Sequence, residues 1–258
     1  MSSNKYKKNT REDYRLLCNI IDNVKCISIT SNSDTEGKTI IAKNLAMVFA
    51  KKGKKTLFID CSLVDKKKVK AFDKNKVTGL IGMLEAIDKA KVGRVNGVNI
   101  EDIHLKSFII DSQYENLSTL QLGVNSLNNY NHVFKKEYLR TIMERLKKYY
   151  DYLIVDAPSF TNLSYMQILS AATDGCLFVI KEGVNEIKEG AEIKEKIGTL
   201  ECKTLGCIFN KSNARDKVFD DINKKAINIK YTRKNSSTEI NQKINDRSKL
   251  IYKDFDLE

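Results

Sequence analysis

Six short β-rich runs, several apolar nearly end to end, are spaced along the first 210 residues and separated by segments of helical periodicity. The runs are CISITS (26–31), KTLFID (55–60), LSTLQLG (117–123), YDYLIVDAP (150–158), DGCLFVI (174–180) and KTLGCIFN (203–210). After the first, Ile40, Ile41, Leu45, Val48 and Phe49 recur on one helical face, and Gly53 is the expected stop. Further helical pieces are expected around 66–72 and 79–88, across 134–149 and over 185–199. Apolar strands alternating with helices predict a mostly parallel sheet covered on both faces, a doubly wound α/β fold. In such a fold, ligands sit at the carboxyl ends of the strands.

With 258 residues and 41% hydrophobic content the chain can bury one sizeable core. The expected division is an N-terminal helix and self-association segment over 1–24, a nucleotide-binding domain over 25–212 and a polar, mobile tail over 213–258. Residues 211–258 carry 12 Lys/Arg and 8 Asp/Glu with only isolated apolar residues, so little core is expected there. Net charge is +12, but the lysines are scattered among acids, and with no Trp and no basic stripe interleaved with aromatics no nucleic-acid partner is expected. The run from Asp65 through Lys70 reads as a solvated face in preference to a lipid-binding patch. The six cysteines contain no C-x-x-C pair and no ligand spacing with His104 or His132. Cys26, Cys61, Cys176 and Cys207 lie in or at the end of apolar runs and are expected to be buried hydrophobes. The polar start MSSNKYKKNT and the lack of an 18-residue apolar run predict a cytoplasmic chain whose membrane contact, if any, is peripheral.

The chemistry is expected at Ser31-Asn32-Ser33-Asp34-Thr35-Glu36-Gly37-Lys38-Thr39, between a strand and a helix. A phosphate-binding loop needs backbone N–H groups around the phosphates, a lysine for the β/γ-phosphates and a hydroxyl on Mg²⁺. Gly37, Lys38 and Thr39 supply the end of that motif, while Asn32 stands where its first glycine belongs. Asp60 and Asp156 each end an apolar strand, where a metal on bound phosphates would lie. Such aspartates can also be plain helix caps. Two of them together with the loop favour a shared Mg²⁺–nucleotide site.

In this order, SNSDTEGKT, KTLFIDCSLV and YDYLIVDAP resemble the Walker A, Walker A′ and Walker B segments of the bacterial tyrosine kinases, P-loop proteins that control capsule and exopolysaccharide synthesis. Glu12, Arg15 and Cys18 resemble that family's E-x-x-R-x-x-R helix, Gly79-Leu80 with Leu84 its GL-x-x-x-L segment, and TLGCIFN the late strand whose terminal asparagine, here Asn210, lies by the adenine. The resemblance spans about residues 10–212. It implies ATP and Mg²⁺ as cofactors, with Asp34, Thr35, Glu36, Gly37, Lys38, Thr39 and Asn210 around the nucleotide. Thr39, Asp60 and Asp156 would face the metal, and Lys38, Asp60 and position 62 would carry the chemistry. It further implies a membrane-embedded polysaccharide co-polymerase as modulator, peripheral placement at the inner face of the membrane through that partner, and homo-oligomers through Glu12 and Arg15.

The chain departs from the family at several positions. Asp34-Thr35 replace Pro-Gly in the loop, Ser62 replaces the second aspartate of Walker A′, Val64 its arginine, and Cys18 the last arginine of the N-terminal motif. Only Tyr231 and Tyr252 stand where the family carries a tyrosine cluster. A serine is no comparable proton acceptor at neutral pH. Three readings follow: a working tyrosine kinase, a catalytically degenerate nucleotide-binding regulator of the same system, and a partition-type ATPase. The last branch has a second lysine five residues before the loop lysine, where Ser33 stands.

Overall fold

The computed structural model describes residues 14, 17–19, 21–61, 79–91, 101, 103–123, 132–181, 186–210 and 251–252. In chain order the elements are β1 (Cys26–Ser31), α1 (Lys38–Lys51), β2 (Thr56–Asp60), α2 (Leu80–Lys91), β3 (Ile110–Asp111), β4 (Leu117–Gln121), α3 (Lys136–Leu146), β5 (Tyr152–Asp156), α4 (Leu163–Ser170), β6 (Gly175–Lys181), α5 (Glu186–Gly198), β7 (Lys203–Asn210) and β8 (Ile251–Tyr252). The eight strands form one sheet in the order β3-β4-β2-β5-β1-β6-β7-β8. Every pairing is parallel except β3 with β4.

The expected doubly wound α/β fold is therefore present, and the alternation of side chains along each strand accounts for its two covered faces. Leu153 and Val155 of β5 enter one apolar cluster, with Leu57 and Ile59 of β2 and the buried faces of α2, α3 and α4. Tyr152 and Ile154 of the same strand enter the other, with Ile27, Ile29, Phe58 and the α1 residues Ile41, Leu45 and Phe49. The Phe49 and Tyr152 rings stack 3.8 Å apart, and the Tyr152 hydroxyl donates to the Asp22 carboxylate at 2.7 Å. Tyr14, Leu17, Cys18 and Ile21 complete this second cluster against α1.

The differences from expectation have local causes. The helix expected over 134–149 is confined to Lys136–Leu146, because Val133 and Phe134 enter the core before an extended Lys135. Strand β3 and helix α4 were not anticipated: two and eight residues are too short for a period to emerge. Cys207 is only partly buried, since β7 lies near the sheet edge, whereas Cys18 is fully buried. Within the expected tail, Ile251–Tyr252 pairs with Phe209–Asn210. The helix expected near 66–72, together with Glu12, Arg15, Ser62 and Val64, lies outside the described residues.

Gly79 has a positional requirement that the GL-x-x-x-L segment alone does not reveal. Its φ is +88°, and a Cβ there would sit 2.4 Å from the Gln121 carbonyl oxygen and 2.8 Å from the Gly123 nitrogen. The turn lets Ile81 N donate to the Leu122 carbonyl at 2.9 Å and seats Leu80 and Leu84 in the core. Both obstacles are backbone, so Gly79→Ala should destabilise the fold by about 2–4 kcal/mol, lowering the melting temperature by about 5–15 °C. A melting temperature within a degree or two of the parent would show that this turn relaxes freely.

Candidate functional site

Loop 32–37 leaves the carboxyl end of β1, at the middle of the sheet, and delivers the chain to the start of α1. Its shape is held by its own side chains. Ser31 Oγ donates to the Ser33 carbonyl at 2.5 Å, while Ser33 N and Ser33 Oγ donate to Glu36 Oε1 at 2.8 and 3.0 Å. Glu36, only 6% exposed, is thus a brace inside the loop. Gly37 caps α1 with φ +85°, and its carbonyl accepts from Ile40 N and Ile41 N.

Asn210, at the end of β7 and buried, donates from Nδ2 to the Glu36 carbonyl at 2.8 Å across 174 positions of sequence. A Cβ on residue 37 would lie 2.1 Å from that nitrogen, so the left-handed backbone favours glycine and any side chain there would push the Asn210 amide aside. Asn210 thereby fixes the loop backbone in addition to standing at the same strand-end rim.

Lys38 is the first residue of α1. Its side chain is 5% exposed, and Nζ donates to Asp34 Oδ1 at 2.9 Å, whereas Asp34 is 66% exposed at the mouth. Partial burial pushes the Asp34 carboxyl up, but the Lys38 ammonium and the Ser159 hydroxyl outweigh it, and its pKa is lowered. Thr35 is exposed beside it.

Asp60 and Asp156 end adjacent parallel strands and are direct register partners. Asp156 is fully buried, and neither carboxylate oxygen has a hydrogen-bond partner. Burial pushes its pKa up to about 7 and the Asp60 charge adds to this, while Thr39, Lys38 and Lys43 draw it down. Thr39 thus favours the ionised form by its nearness without completing a hydrogen bond. A buried carboxylate with no donor, a second carboxylate beside it and a threonine at a helix start form a hard oxygen set suited to a small divalent cation. Lys38 and the start of α1 offer positive potential for phosphate.

Two features had no signal in the sequence. Thr30 Oγ1 donates to the Pro158 carbonyl at 2.6 Å, tying the segment after Asp156 to β1. Lys196 Nζ of α5 donates to Asn32 Oδ1 at 3.1 Å, where the expected motif has its first glycine. Cys61 is no nucleophile: burial, reinforced by the charges of Asp60 and Asp156, holds its thiol protonated. Among the described residues no group of three or more His, Cys, Asp or Glu side chains could hold a metal by themselves. The proposed cation would therefore need phosphate oxygens and water as well.

A family model, AAA_31 (AAA domain), matches residues 24–201, which include the loop and both strand-end aspartates. The chain belongs to this AAA_31 family. Among curated relatives, the AAA_31 chain is 28% identical over 209 residues to the tyrosine-protein kinase CpsD of Streptococcus pneumoniae, covering 79% of this chain and 85% of that one. It is 29% identical over 187 residues to the tyrosine-protein kinase YwqD of Bacillus subtilis, covering 72% of each. A 24% identical match to the succinoglycan biosynthesis transport protein ExoP of Rhizobium meliloti covers 74% of this chain but 23% of that longer one.

Among solved structures, the chimerical protein CapA2B2 superposes with TM-score 0.61 at 24% identity, over 78% of this chain and 83% of that one. The kinase domain of the Escherichia coli tyrosine kinase ETK gives 0.60 at 20%, over 80% and 77%. A plasmid partition protein from Borrelia burgdorferi gives 0.53 at 19%, over 78% and 87%. These likenesses establish a fold shared by kinases and a partition protein, so shape alone does not choose between them. Among the described residues no helix is long and apolar enough to cross a membrane.

Proposed function

We propose that the chain binds Mg²⁺-ATP at loop 32–39 and acts as a protein-tyrosine kinase in capsule or exopolysaccharide synthesis. The observation that carries the binding site is the buried, unpartnered Asp156 beside Asp60, facing Thr39 and Lys38. Such a carboxylate costs stability unless a cation compensates it. The kinase reading rests on the names of the curated relatives, which span about three quarters of the chain.

Bound Mg²⁺-ATP supplies the transferable phosphoryl group. Lys38 would bind phosphate oxygens, the α1 start would orient them, and Thr39, Asp60 and Asp156 would hold the cation. Asp34, Thr35, Glu36, Gly37 and Asn210 shape the nucleotide cradle. Position 62 decides the next step, because Ser62 provides no carboxylate to take the tyrosine proton. That residue favours a second reading, a nucleotide-binding regulator that turns over slowly or not at all.

We further propose that residues 25–212 form the nucleotide-binding domain, with 1–24 an N-terminal helix and self-association segment and 213–258 a polar tail. ExoP carries the matching segment within a longer transport protein, which supports a membrane-embedded co-polymerase as the partner of this chain and a peripheral cytoplasmic location beside it. Glu12 and Arg15 are the proposed self-association contacts. Cys18 cannot join them from inside the domain, where it is buried against α1.

The test is incubation with γ-labelled ATP and Mg²⁺, reading label on tyrosine and free phosphate together. Tyrosine label that disappears in Lys38→Ala establishes the kinase, free phosphate alone points to a partition-type ATPase, and neither leaves the regulator. Ser62→Asp should raise tyrosine labelling by about 100-fold if the lost carboxylate limits transfer, the lower end of what a positioned general base contributes. Labelling no faster than the parent would place the limit elsewhere.

A further inference from the structure

The most unusual contact in the site is the one the loop makes with itself. The lysine expected to meet phosphate already has an anionic partner, Asp34 Oδ1 at 2.9 Å, contributed from four residues earlier on the same loop. The two carboxylates of the loop differ in kind. Glu36 is buried and accepts from both Ser33 N and Ser33 Oγ, so moving it would undo the loop. Asp34 is two-thirds exposed, and its carboxylate can swing into water without disturbing Gly37 or the Asn210–Glu36 contact. Lys38, by contrast, is nearly enclosed at the start of α1, with its ammonium on the Asp34 carboxylate. Asp34 therefore sits in the approach to Lys38 that a phosphate oxygen would use, and it is ionised there, since Lys38 and Ser159 lower its pKa.

We propose that Asp34 is a built-in competitor for the phosphate site: its carboxylate stands in for a phosphate oxygen on Lys38, and ATP binds by displacing it. This inference rests on the nucleotide-site reading above and deepens it. Binding then exchanges one anion for another at Lys38, and the displaced carboxylate stays close enough to repel the phosphates. Both effects weaken affinity, and neither needs a change of backbone. Asp34 is two-thirds exposed and its carboxylate is rehydrated readily when displaced, so the device sets affinity without blocking the site.

The test is titration of the full chain with Mg²⁺-ATP, and separately with tripolyphosphate, which lacks base and ribose. Asp34→Asn should bind both about tenfold more tightly than the parent at low salt, with the gap narrowing to about two- to threefold near 0.5 M salt as screening shortens the interaction. Asp34→Glu, which keeps the charge, should return affinity toward that of the parent, whereas a merely structural role would make it resemble Asp34→Asn. Equal or weaker binding by Asp34→Asn, or a gain with ATP but not with tripolyphosphate, overturns the inference while leaving the nucleotide site standing. Failure of the parent and both variants to bind ATP at all overturns the nucleotide-site reading, and this inference falls with it.

Discussion

Asp156→Asn should give a protein that melts higher without nucleotide and has lost its Mg²⁺-dependent affinity for ATP. The stability gain follows from the burial of Asp156, which has no hydrogen-bond partner and whose pKa is pushed up to about 7 from an ordinary value of 3.8. A carboxyl whose pKa is higher in the folded state keeps more protons there than in the unfolded chain. Stability is therefore lost as pH rises from about 4 to about 7, reaching roughly 4 kcal/mol for a difference of about three pH units. Asparagine removes the charge but leaves a neutral amide short of partners, which returns about 1–3 kcal/mol of that gain. The expected net is a gain of about 1–3 kcal/mol at pH 8, or about 3–10 °C in melting temperature, turning into a loss of about 1–3 kcal/mol near pH 4, where the parent carboxyl is already neutral. Asp60, Lys38 and Lys43 are the charged groups around this carboxylate, and none of them is altered by the substitution. Thermal melts at pH 4, 6 and 8 check the first half, and ATP titration with and without Mg²⁺ checks the second. A variant less stable than the parent at pH 8 would mean that Asp156 has a donor in solution and is no cation site.

Lys38→Ala is expected to lower ATP affinity by about 100-fold or more, with little effect on folding. Lysine–phosphate hydrogen bonds are charge-assisted, and at a nearly buried Lys38 water would compete poorly with them. The stability effect is small because the partner left behind, Asp34, is two-thirds exposed and returns to water. Affinity and unfolding should therefore separate: a binding curve near baseline beside a thermal transition within a few degrees of the parent. Retained affinity would remove loop 32–39 from the nucleotide site altogether.

The succession of strands and helices was legible in the residues because its cause is local. Apolar residues at a period of two or in unbroken runs make CISITS, YDYLIVD and KTLGCIFN strands, and the spacing from Ile41 to Phe49 makes a helix wherever it is placed. The loop ending in Gly37-Lys38-Thr39 and the aspartates closing two strands were legible for the same reason, since each is a short motif in the context its chemistry needs. The short elements were not: Ile110–Asp111 becomes a strand only because β4 lies beside it, and Leu163–Ser170 a helix only where it packs on the core.

The residues that matter most to one another lie far apart in sequence, and only the folded chain brings them together. Pairing β2 with β5 places Asp60 beside Asp156 across 96 positions, and the path of β7 carries Asn210 onto Glu36 and Gly37. No periodicity encodes such a meeting, because register between distant strands is decided by how both sheet faces are buried at once. Even within one loop, the sequence places Asp34 four residues before Lys38 but leaves its direction open. The folded loop decides it: Lys38 is nearly buried, and its ammonium takes Asp34 Oδ1 as a partner at 2.9 Å.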